Sequence, residues 1–118
     1  MKILFVCDNL ASQTNGTTIT TMRFARELEK RGHDVFLLTN ELEGPNIFTL
    51  ETRNIPLVSY VAKKQKTTFA KPNKEVIERA LDHADIVHLV QPWKVSHVVL
   101  KAARKRNLPV TMAFHFQP

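Results

Sequence analysis

Three short stretches of this 118-residue chain hold the side chains best suited to chemistry: "DNLASQTNGTT", "QPW" and "HFQP". In the first, Asn15, Gly16, Thr17 and Thr18 stand where helix-spaced apolar residues are about to begin. Free N–H groups and the helix dipole at such a start attract a phosphate. Gly16 lets the backbone come close, and the three polar neighbours add hydrogen-bond donors. An ordinary Ser/Thr/Asn helix cap explains the same residues equally well. A dinucleotide site is disfavoured, because the loop has one glycine, no G-x-G-x-x-G and no P-loop lysine. His115 closes the apolar run that starts at Val110 and is favoured as a functional group. His88, inside "DIVHLV", has only apolar neighbours and reads first as a half-buried histidine bonded to backbone. Two histidines on separate strands, a remote Cys7 and no carboxylate pair make a poor metal site, so no metal is expected. His33, His83 and His97 read as structural or solvated.

The elements that must position these groups alternate strand and helix. Ile3 to Cys7 is a short apolar run, the pattern of a strand buried on both faces. Ile19, Met22, Ala25 and Leu28 then follow helical spacing, with Phe24 four residues before Leu28, and the helix should stop at Lys30, Arg31 and a capping Gly32. "DVFLLT" is a second buried strand, and "NIFTL" and "IPLVSYV" read as short ones, Pro56 arguing for an edge or an early strand position in the latter. "AKKQKTTFAKP" reads as a basic, mobile loop. Asn73 can cap a helix with Val76, Ile77, Ala80, Leu81 and Ala84 on one face. "DIVHLV" is the next strand, Val95, Val98, Val99, Ala102 and Ala103 mark another helix ending near Asn107, and "VTMAFH" is the last strand. Helices between strands require right-handed crossovers and a parallel sheet. The expected class is therefore α/β, Rossmann-like, with helices on both faces, and with "MKILFV", "DIVHLV" and "VTMAFH" adjacent in that order. Ligands bind such sheets beyond the carboxyl ends of the strands, which is where all three chemical stretches fall.

Composition narrows the partners. Lysines and arginines outnumber acids 17 to 11, a balance that favours an anionic partner: a phosphate, a nucleic acid or a lipid surface. Most of the excess lies in "KAARKRN" and "KKQKTTFAK", and aromatic residues of the kind that stack bases are sparse beside them, so nucleic acid ranks low. A single cysteine excludes an internal disulfide and fits a reducing cytosol. No apolar run approaches the ~20 residues of a membrane span.

Four motifs occur in a telling order: Asn15-Gly16 in the first loop, Arg31-Gly32-His33-Asp34-Val35 at the end of the first helix, "ADIVHLVQP", and "PVTMAFHFQP". Together they resemble the opening of retaining GT-B glycosyltransferases of family 4. The resemblance implies a hexosyltransferase-like enzyme that takes a nucleotide-sugar as substrate and needs no cofactor. It implies that Asn15, Gly16 and Thr17 approach the donor diphosphate. His115 would lie beside the transferred sugar as the catalytic group, and His88 and Gln91 would line the acceptor side. The N-G loop and basic surface are similar to members that glycosylate lipids, giving the expectation of a cytoplasmic protein, peripheral on the inner face of the membrane.

In that family the nucleotide-sugar pocket lies mostly in a second Rossmann-like domain with a glutamate-rich motif, and nothing in 1–118 corresponds to it. The chain is thus expected to be a partial N-terminal domain, with the nucleotide-sugar domain absent, inactive alone, and self-associating through the edge of its last strand. A stand-alone flavodoxin-like module binding phosphate or flavin is the alternative, since five parallel strands suffice for one. A receiver domain fits less well: Asp8 is present, but His115 stands where its lysine should be.

Overall fold

The computed structural model describes residues 1–7, 16–40, 42–51, 70–90 and 94–112, with the backbone alone at 16–18. Along the chain run β1 (Lys2–Val6), α1 (Gly16–Lys30), β2 (Asp34–Asn40), β3 (Ile47–Leu50), α2 (Lys74–Asp82), β4 (Ile86–Leu89), α3 (Lys94–Lys105) and β5 (Val110–Met112). The strands form one sheet in the order β3-β2-β1-β4-β5. Every pairing is parallel, so β1, β4 and β5 adjoin as expected.

β1 is central and apolar throughout because both its faces are covered. Leu4 and Val6 join Leu38, Val87 and Leu89 beneath Ile77 and Leu81 of α2 and Val95 and Val99 of α3. Ile3, Phe5 and Cys7 join Val35, Leu37 and Val90 against Ala25, Met22 and Leu28 of α1. Continuous burial of this kind removes the polar alternation of a half-exposed strand.

Local chemistry sets the helix ends. Gly32, at φ +90°, takes the left-handed conformation that turns the chain out of α1. Its N–H donates to the Glu29 carbonyl at 3.0 Å and the His33 N–H to Leu28 at 3.1 Å. At the start of α2, Asn73 Oδ1 accepts from the Val76 N–H at 3.2 Å. The helix stops at Asp82, so Ala84 lies past its end, and the His83 ring donates through Nδ1 to the Arg79 carbonyl at 2.9 Å. Past α3, Asn107 at φ 58° plays the part Gly32 plays after α1.

Some expectations change. Ile19 is 42% exposed and Phe24 46%, so neither belongs to the buried stripe of α1. The Phe24 ring instead leans sideways, 5.6 Å from Phe5 and 5.6 Å from His88. The closing strand is described only for Val110–Met112, and "IPLVSYV" falls outside the described residues. Most of the basic stretch 62–72 does too, but its end is not loose: Ala70 is buried, and the Lys71 N–H donates to the Glu51 carbonyl at 2.6 Å.

Candidate functional site

The site is built from the carboxyl ends of β1 and β4. The Cys7 N–H donates to Leu38 and the Val90 N–H to Val6, each at 3.1 Å, so the ladders run past the strand ends. From β1 the chain reaches β2 through α1 on one face of the sheet, whereas β4 is entered through α2 on the other. That change of face makes the β1/β4 boundary the switch point, the place at which sheets of this kind receive ligands. Residues 8–15, between β1 and α1, and residues 91–93, between β4 and α3, lie outside the described residues.

Of the residues singled out from sequence, Gly16 and Thr17 open α1, whose first turn carries no acid to oppose an anion. His88 lies on the α1 side of β4, opposite Phe5 on one neighbouring strand and Thr111 on the other. It is half-buried, and Nδ1 is 2.6 Å from the Thr111 hydroxyl. Phe5 packs at 5.1 Å, tilted 53°, and Phe24 meets the ring nearly edge-on at 82°. One partner of the His88 ring is therefore a side chain of the adjacent strand. The cause is register, since a residue directly opposite on a neighbouring strand puts its side chain on the same face. An imidazole so clamped keeps one orientation and can offer a fixed polar group. Asn15, Gln91 and His115 lie outside the described residues.

Sequence reasoning missed two features at the strand ends. Thr39 and Asn40, at the carboxyl end of β2, are polar yet fully buried. The signal was available as the polar pair closing "DVFLLTN". Thr111 was hidden inside an apolar run, and only the β4–β5 register reveals it as the partner of His88. Away from the site, Arg106 ties α3 to α2 through Glu78 and through Asp82 at 2.6 Å. Hydrogen bonds to Glu78, then Asp82, hold its guanidinium above the ordinary value.

Comparison with known proteins fits this geometry. The family model described as Glycosyltransferase Family 4 matches residues 14–118. An alpha-monoglucosyldiacylglycerol synthase of Streptococcus pneumoniae (strain ATCC BAA-255 / R6) is 26% identical over 119 residues. That alignment covers 99% of this chain and 27% of the relative, so the chain spans about a quarter of the curated protein it matches. No solved structure gives a significant match. With the family model covering almost the whole chain on an all-parallel α/β sheet, this chain belongs to Glycosyltransferase Family 4.

Proposed function

We propose that the chain is the acceptor-side, N-terminal Rossmann-like part of a GT-B enzyme that moves a hexose from a nucleotide-sugar to a lipid acceptor. The observation that carries this is the family match over 14–118, laid on a sheet whose switch point lies between the loop leading to Gly16 and the loop after β4. In the proposed reaction the bond between the anomeric carbon and the diphosphate oxygen breaks, an acceptor hydroxyl oxygen bonds to that carbon, and the hydroxyl proton passes to the departing diphosphate. Charge grows on the leaving diphosphate. N–H groups at the start of α1, with the flanking Asn15, Gly16 and Thr17, stabilise that charge where it develops. His115 holds the transferred sugar, and His88 and Gln91 face the acceptor. The relative's name, a diacylglycerol glycosylating enzyme, supports a lipid as acceptor.

The test places the chain in its complete polypeptide and offers nucleotide-sugars with vesicles containing diacylglycerol or its glucosylated form. A lipid product one hexose heavier is expected, and His115→Ala should cut kcat by about 10²–10³, the cost of losing one hydrogen-bond donor at the transition state. Transfer to soluble acceptors alone would remove the lipid from the proposal. An unchanged kcat would remove His115.

A further inference from the structure

Phe24 is oddly placed for a helix residue of its size. The sheet-facing stripe of α1 is made by Thr21, Met22, Ala25 and Leu28. Phe24 stands beside that stripe, and its ring reaches sideways past Phe5 of β1 to His88 of β4. The two ring centres lie 5.6 Å apart, nearly perpendicular at 82°. At 46% exposure Phe24 forgoes much of its burial energy, and the edge-to-face contact is what it gains there.

His88 has a use for that contact. Its backbone is fixed, because β4 pairs with β1 on one side and with β5 on the other. Its ring is not fixed by that pairing, since the outer torsion of a histidine is broad and two-fold. Phe5 packs against the ring at 5.1 Å but has no polar side-chain atom to tell one flip from the other. The Thr111 hydroxyl, 2.6 Å from Nδ1, does tell them apart, yet this bond is exposed on an edge strand, where water competes for it. Phe5 and Thr111 both approach along the sheet. Phe24 approaches from α1, off the sheet, and the positive edge and negative face of an aromatic ring favour one mutual orientation. We infer that Phe24 is a positioning residue for His88, holding the imidazole from α1 so that the acceptor meets a ring already aimed. This rests on the acceptor-side reading of His88 given above. It also gives α1 a second task. The helix offers its start to the donor and, eight residues or about 12 Å further on, its flank to the acceptor-side histidine, so one rod spaces the two substrates.

Kinetics of the complete enzyme and NMR of the 118-residue chain test this together. Phe24→Leu keeps apolar bulk and helix propensity but removes the ring. It should raise the acceptor KM about 3–10-fold, the worth of an aromatic pair, and leave the donor KM unchanged. Phe24→Tyr keeps the ring and should behave as the parent. In a His88→Gln background, Phe24→Leu should have no further effect on the acceptor KM, because residues that act through one group are not additive. In the parent chain the nuclear Overhauser contact of Thr111 should be to Hε1 of His88. In Phe24→Leu it should spread to Hδ2 as the flipped ring becomes populated. A ring contact unchanged in Phe24→Leu would overturn the inference. So would a KM effect that persists in full in the His88→Gln background, or donor and acceptor KM values that rise together. A ring that flips while the acceptor KM stays constant would uphold the positioning and remove His88 from the acceptor side.

Discussion

Two positions make the chemistry of the site testable at the scale of single residues. Gly16 opens α1, and on the function proposed above the donor diphosphate approaches the backbone there. Gly16→Val in the complete enzyme should lower kcat/KM for the donor about 10–100-fold, the worth of one charge-assisted hydrogen bond of about 1.5–3 kcal/mol. Unchanged donor kinetics would leave the loop as a cap only. Thr111→Val removes the hydroxyl beside His88 Nδ1 with little change of shape. Because that bond is exposed, it should lower stability in urea by about 1 kcal/mol or less. If His88 orients the acceptor, the variant should also raise the acceptor KM and leave donor KM alone. A change confined to stability would make the pair structural. The existence of a histidine on this strand was plain in the sequence. Its contact with Thr111 was not, because that residue lies 23 positions away and the pairing depends on the register of β4 with β5.

Local signals served well for whole elements wherever a strand or helix carries its own punctuation. Asn73 and Gly32 mark ends that the structure places where their chemistry requires. Asn73→Ala removes the acceptor for the Val76 N–H and should cost about 1 kcal/mol in chemical denaturation. A loss indistinguishable from zero would mean that packing of Ile77 and Leu81 alone sets the start of α2. Ile19 and Phe24 defeated the same kind of reasoning, since helical spacing cannot tell a buried stripe from its flank. The flank became visible only once α1 was seen to lie over Ile3, Phe5, Val35 and Leu37. β5 stands at the edge of the sheet, with Thr111 and Met112 exposed. Among the described residues no strand pairs with its outer side, and an edge left so invites a second strand, so the isolated chain should self-associate at low micromolar concentration. Light scattering that reports a clean 13.5 kDa monomer, with the β5 amides protected from exchange, would sink that expectation.

Class and the β1-β4-β5 adjacency were legible because they follow from general constraints: buried parallel strands read as apolar runs, and crossovers have one hand. The site was less so, because groups that do chemistry sit on loops whose conformation no periodicity encodes. The chain spans about a quarter of its relative, and on the function proposed above donor positioning and transition-state electrostatics need more of the enzyme than this unit. The 118-residue chain alone should therefore transfer no sugar; turnover above a protein-free blank would refute this. The central place of β1 has a consequence during synthesis. β1 is made first, yet the Lys2 N–H meets the Asp85 carboxylate 83 residues downstream, where β4 begins. At about 5–20 residues per second on the ribosome, one edge of an apolar strand waits about 4–17 s for its partner. Closure of the sheet is then a late, long-range event. The hazard built into this topology is mispairing between nascent chains on a crowded polysome, before a folded state exists to be lost.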